Sequence, residues 1–200
     1  MRRFVLLAVA LLAPLLGLQS AAQAATKTWN GPASGGSWST ASNWSPSGAP
    51  GAGDTVQFNT AVNSTADLGA TVAIGAIVFG PNAGGSVING AVVINSDAAR
   101  LNIDDQSTST TPNTIRASIK LTDPVLTGQA MYVITRTAGH VLELRGAISG
   151  GRALAADTAI LIWGPGTVWM VPLGHNTYTG RTGIASAVGT DGDGILQISG

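Results

Sequence analysis

The sequence predicts an all-β fold built as a solenoid of stacked coils, and three observations carry that prediction. The first is composition. Val, Ile and Thr make up a quarter of the 200 residues, whereas Glu143 is the single Glu, and Lys27 and Lys120 are the two Lys. β-Branched side chains suit the pleated strand, while Glu and Lys normally build helix surfaces. A helical bundle is therefore excluded and an α/β fold disfavoured. The second is patterning. Residues 114–121 are apolar at odd and polar at even positions, and residues 142–145 also alternate, so one face is buried and the other wet. The third is punctuation: short β-branched runs, separated by Gly, Asn, Asp and Pro, recur about every 20 residues, near the period of solenoid arrays. A sandwich or barrel also accommodates short strands. The solenoid explains more, because stacked coils need similar aliphatic residues inside and Gly or Asn at corners. Asn89, Asn95 and Asn102 are read as such left-handed corner residues, with ordinary hairpin turns as the alternative.

The elements follow in order. Met1-Arg2-Arg3, the apolar stretch 4–18 and the small residues of Ala22-Gln23-Ala24 have the layout of a Sec-type signal peptide over residues 1–24. The run is too short for a spanning anchor, which needs ~20 apolar residues, so no transmembrane segment is expected in the mature chain. Residues 25–54 are rich in Gly, Ser and Trp and read as an N-terminal cap segment. Residues 55–200 read as the solenoid. Strands are expected at 55–58, 71–79, 86–94, 101–103, 114–121, 131–135, 141–148, 158–163, 167–171, 182–184 and 195–198.

Charge and cysteine narrow the function. Ten basic residues balance ten acidic ones, and residues 25–200 carry 8 against 10, a net of −2. Nucleic-acid binding, which needs a basic face, is not expected. With no Cys there is no disulfide framework, thiolate metal site or cysteine nucleophile. An exported chain of this kind holds together by core packing and sheet hydrogen bonds.

The most specific stretch is Gly164-Pro165-Gly166-Thr167-Val168-Trp169-Met170-Val171, followed by Gly174-His175-Asn176-Thr177-Tyr178-Thr179-Gly180-Arg181-Thr182. It resembles the autotransporter-associated β-strand repeat, also called the passenger-associated transport repeat, over about residues 164–200. In the residues themselves, Gly164, Gly166, Gly174 and Gly180 permit tight backbone, Asn176 can satisfy corner amides, and Tyr178 can pack across a coil ahead of Thr182. Pro172 and the segment 185–194 depart from the repeat pattern. The resemblance implies a right-handed parallel β-helix displayed at the cell surface, with transport and folding rather than catalysis as the repeat's role. The chain stops directly after a strand and reads as a solenoid incomplete at its C-terminus.

Candidate chemistry is sparse. His140 and His175 stand in no metal-ligand or metalloprotease spacing, and Ser149 and Ser186 lack a nucleophile elbow. Asp191 and Asp193, alternating with Gly, could face one Ca²⁺, but read first as a turn. Arg100 with Asp104 and Asp105 is the nearest approach to a polysaccharide-lyase arrangement. Trp29, Trp38 and Trp44 offer two readings: exposed indoles that stack on sugar rings, or a cover for the solenoid end. Trp163 and Trp169 read as core or ladder packing. No catalytic residue, metal site or cofactor is expected. The function expected is an exported, surface-displayed, structural or adhesin-like solenoid whose partners are surface glycans or neighbouring cells. A glycan-binding module using the N-terminal tryptophans and a carbohydrate-active β-helix enzyme are the alternatives.

Overall fold

A computed structural model of the chain describes residues 24–69, 72–90, 94–96, 100–122, 130–151, 157–171, 174–185 and 195–198. The signal-peptide expectation falls outside these residues except for Ala24. The N-terminal segment supplies β1 (Thr26–Trp29), a 3-10 turn at Ala41–Asn43 and β2 (Trp44–Ser45). A three-step order then repeats. β3 (Thr55–Phe58), β4 (Asn63–Thr65) and β5 (Ala73–Ile74) form one coil; β6 (Ala76–Phe79), β7 (Val87–Asn89) and β8 (Ile94–Ser96) form the next. β9 (Leu101–Asp105), β10 (Asn113–Ile115) and β11 (Ile119–Leu121) follow, then β12 (Met131–Thr135), β13 (Val141–Leu144) and β14 (Ile148–Gly150). The described strands end with β15 (Thr158–Trp163), β16 (Thr167–Met170), β17 (Arg181–Ile184) and β18 (Ile195–Ile198).

Strands at the same step stack into three sheets. The first runs β17-β15-β12-β9-β6-β3-β1-β2, the second β18-β16-β13-β10-β7-β4 and the third β14-β11-β8-β5. Among the described strands every pairing but β1–β2 is parallel. The molecule is thus an all-β parallel solenoid of about five turns with almost no helix. Its coils are uneven: Thr55 faces Ala76, 21 residues on, while Asn102 faces Tyr132, 30 residues on. That spread exceeds the expected period and explains why the repeat is irregular in sequence.

Several expected strands are two strands joined by a bend. Residues 71–79 divide into β5 and β6 around Gly75, residues 114–121 into β10 and β11, and residues 141–148 into β13 and the start of β14 around Gly146. Period two runs straight through the second and third of these bends, whereas at Gly75 the inward positions step from Ile74 to Ile77. Ile115, Ala117, Ile119 and Leu121 are all buried, although Ala117 belongs to neither strand. The alternation therefore marks the inward side of the coil wall rather than one strand. The asparagines differ from expectation. Asn89, Asn95 and Asn102 lie within strands, and among the described residues only glycines have positive φ.

Inside the solenoid, equal positions of successive coils stack into rows. Val56, Ile77, Ile103 and Val133 make one row in the first sheet, and Ile88, Ile115, Leu144 and Met170 one in the second. Burying each such side chain contributes about 1.5–3 kcal/mol. Ile198 extends the second row beyond Met170 and is 70 % exposed, because no described strand stacks on it.

One interior row turns polar. Phe58 and Phe79 stack at 5.7 Å, and the next position in register is Asp105, buried. Its carboxylate accepts from Asn113 Nδ2 at 3.0 and 3.1 Å, from the Ser107 N–H at 3.1 Å and from His140 Nε2 at 2.9 Å. His140 Nδ1 lies 2.6 Å from the Ser109 carbonyl oxygen. Both ring nitrogens face acceptors, so the geometry selects the imidazolium, with both nitrogens donating. Burial by itself would lower the His140 pKa; the Asp105 carboxylate and the Ser109 carbonyl outweigh it and raise the group above its usual value. The network continues along the axis, since Asn113 Oδ1 accepts from the Ser86 N–H and Ser86 Oγ from the Val62 N–H. A chain of hydrogen bonds thus ties successive coils at the corner between the first two sheets.

A raised folded pKa means that His140 contributes stability in full below about pH 6.5, the unfolded imidazole value. That contribution fades as pH rises through the raised value. The urea midpoint, followed by β-sheet circular dichroism, is therefore expected to fall from mildly acidic to alkaline pH. His140→Gln should flatten that slope and cost about 3–5 kcal/mol at acid pH, because it leaves Asp105 buried without its cation. An unchanged slope in the variant would assign the effect to another group.

Candidate functional site

The N-terminal tryptophans are brought together, but inwards. Trp29, Trp38 and Trp44 are 8 %, 0 % and 2 % exposed. Trp29 and Trp38 each meet Trp44 edge-to-face, at 5.0 and 5.7 Å, and all three rings lie within 6.2 Å of Phe58. Trp38 Nε1 donates to Ser64 Oγ and Trp44 Nε1 to the Trp38 carbonyl. The exposed indole faces that sugar stacking requires are absent from this cluster, because the rings pack on one another over the first coil. β2 lies antiparallel on β1 and ends the first sheet there. Asp54 and Asp67 pin the segment to the coils, Asp54 accepting from the Ala25 and Gly51 N–H groups and Asp67 from the Ser39 N–H. Burial would raise the Asp67 pKa. The Ser37 and Ser39 hydroxyls, with the Ser39 and Trp38 N–H groups, outweigh that and hold it below the usual carboxylate value.

The repeat-like stretch forms part of the coil wall. Gly164 has φ +100°, and a Cβ there would lie 2.2 Å from the Thr135 carbonyl oxygen of the coil below; Gly166 approaches the Thr135 side chain. Gly180 has φ +113° and packs against Ala159. Gly174 is exposed and has room for a side chain. Asn176 Oδ1 accepts from the Ile148 N–H at 2.8 Å, one coil below. Tyr178 packs against the core, and its hydroxyl bonds to Thr182 Oγ1. His175 is exposed at this corner.

The candidate catalytic groups are dispersed. Asp104 and Asp105 are adjacent in a strand and so point to opposite faces. Asp105 is enclosed with His140, while Asp104 faces outward and accepts from Arg136 Nε at 2.7 Å and Nη2 at 3.1 Å. Arg100 does not join either carboxylate; its guanidinium lies 4.8 Å from the Tyr132 ring centroid. The grouping that their closeness in sequence allows is therefore split by the pleat. His140 has no open ring nitrogen. Among the described residues no group of three or more His, Cys, Asp or Glu could hold a metal ion. Asp191, Asp193 and Ser186 lie outside the described residues.

A different surface emerges on the outer face of the first sheet. Thr55, Ala76, Asn102, Tyr132 and Leu161 form one outward row; Gln57, Val78, Asp104, Ile134 and Trp163 form the next. Between them lies an open groove of about 420 Å³ that reaches from Thr55 to Trp163 and has Arg100 on its wall. On the far side of Trp163 is a smaller hollow of about 150 Å³, lined by Ile134, Arg136, Gly164 and Pro165. Trp163 and Trp169 stand on outer faces and are half-buried, so of core and ladder packing only the ladder fits them. The signal was present in the phase: Met131, Val133, Ile160 and Ile162 are inward, so Tyr132 and Trp163 must be outward. What the sequence lacked was the register that places them on adjacent strands.

No protein-family model matches this sequence, and neither a curated protein nor a solved structure resembles it closely enough to count as a match.

Trp38→Ala should destabilise the protein by about 3–5 kcal/mol, since it empties a fully enclosed indole site, and a urea titration measures this directly. Gly164→Ala should cost more than about 1 kcal/mol, because the new methyl meets a backbone oxygen at a positive-φ position. A thermal midpoint within error of the parent would refute that reading of the close approach.

Proposed function

We propose that the chain is an exported, surface-displayed and non-catalytic solenoid, a structural or adhesin-like rod of the kind its repeat-like corner suggests. Coil-on-coil hydrogen bonding makes a stiff body, and its outer rows of Thr, Asn, Gln and intermittent apolar side chains are the contact surface. Surface glycans or the surfaces of neighbouring cells are the partners of this reading. The observation that supports it best is the in-register stack itself. The described interior is filled by aliphatic rows and a closed Asp105–His140 network, so surface chemistry is concentrated on the flat outer faces. The charged leader at Met1–Arg3 and the apolar run after it support export. The Gly164–Thr182 stretch supports the likeness to autotransporter passengers, whose repeats build this kind of rod.

The reading is tested in cells that produce the full chain. Antibody to the folded protein should label intact cells, externally added protease should remove the label, and loss of the gene should reduce attachment to a neighbouring cell layer. Antigen reached only after the envelope is broken, together with unchanged attachment, would overturn it.

A further inference from the structure

We propose that the groove on the outer face of the first sheet binds an extended acidic polysaccharide, one bearing carboxylates, laid along the solenoid axis. This rests on the surface-adhesin reading and names its ligand class and its site. Shape is the first argument. The groove is lined from β3, β6, β9, β12 and β15. Four inter-strand steps of about 4.8 Å give a length on the order of 19 Å. A trough open along its length and running across strands accepts a linear polymer from the side, with no need for a chain end.

The second argument is the chemistry at its deeper end. Tyr132 and Trp163 stand on adjacent strands, and neither is fully buried. Tyr132 pairs in register with Leu161, so Trp163 is its diagonal neighbour two residues on, a separation that long aromatic side chains bridge. The Trp163 ring presents apolar area beside polar groups, the combination that a sugar's C–H face and hydroxyl rim require, while Tyr132 carries Arg100 over its ring. Asn102 and Thr55 add neutral hydrogen-bonding groups along the same wall.

Charge selects the acidic class. Asp104 accepts both Arg136 nitrogens and Gln106 Nε2, so its carboxylate is already neutralised within the face. Arg100 is different: it is exposed, stacked over Tyr132, and in none of the ion pairs among the described residues. Its guanidinium lies 4.8 Å from the Tyr132 ring centroid and outside those ion pairs, and a guanidinium is the group that grips a carboxylate through paired hydrogen bonds. Arg136 of the neighbouring hollow pairs with Asp104, so with Arg100 this face carries a surplus positive charge on a chain whose residues 25–200 sum to −2. An anionic polymer is therefore drawn to this face of an otherwise weakly repelling molecule.

The test uses the purified protein in affinity electrophoresis and calorimetry with polygalacturonate, neutral dextran and oligo-dT. Retardation by polygalacturonate that weakens with added salt, with none by dextran or oligo-dT, is the expected result. Arg100→Gln, at an exposed position, should reduce the affinity roughly tenfold. Trp163→Ala should do at least as much, and Lys120→Gln, an exposed cation on the third sheet, should change nothing. Circular dichroism establishes that each variant is folded, and if Trp163→Ala is not, Arg100→Gln decides alone. Equal binding to dextran, preference for oligo-dT, or undiminished binding by Arg100→Gln would overturn the proposal. If the purified protein binds no glycan while cells displaying it still attach, the groove assignment fails and the scaffold reading stands. If the protein is not displayed at all, the scaffold reading fails, whatever the purified protein binds.

Discussion

Every strand between the ends of this solenoid takes its hydrogen bonds from the coil below and the coil above. A parallel ladder is regular only when the coils stay in register, and register puts the same coil position directly on top of itself. That constraint selects the residues. Inward rows must be built from shapes that stack on like shapes, which is why Val56, Ile77, Ile103 and Val133 recur at one place. Where the wall bends and one coil's backbone presses on the next, a side chain has no room. Gly164 above the Thr135 carbonyl is such a point. Loops between strands are released from the ladder, so coils of 21 and 30 residues stack equally well.

The same ladder creates two demands on the ends and the interior. An uncovered first coil would present unpaired backbone and apolar rows to water. The three tryptophans and the antiparallel β2 cover it, and the indoles are buried in doing so. In the interior, the aromatic row Phe58–Phe79 gives way to Asp105, and a buried carboxylate is tolerated only with a full set of donors. Ser107 and Asn113 supply them from the same coil and His140 from the next. This network adds a register marker, since a slip of one residue would separate the charge from its partners.

Function in such a body belongs to the outside. An outer sheet face is a flat array in which each coil contributes two positions, and the first sheet's face collects Tyr132, Ile134, Leu161 and Trp163 toward its later coils. Arg100 and Arg136 come to that face from residues flanking strands β9 and β12. None of these residues forms a motif in the chain, because Arg100 and Trp163 are separated by two full coils. Residue pairs that look joined in sequence are parted by the pleat: Asp104 turns out to Arg136 and Asp105 turns in to His140.

The amino-acid sequence made legible that the chain is all-β, that its strands are short, and which residues of 114–121 face inward. Those properties depend on side-chain shape and period two, which are local. It also marked the strands at 55–58, 131–135, 158–163 and 195–198, where a short run of apolar and β-branched residues coincides with one flat wall. It did not determine where residues 114–121 or 141–148 bend, because alternation continues through a bend whose inward side is unchanged. Contacts between coils settle that the N-terminal indoles are enclosed, that Asn89, Asn95 and Asn102 lie in strands, and that Tyr132, Trp163 and Arg100 line one groove. Each depends on which coil lies above which, and loops of unequal length erase that register from the linear sequence.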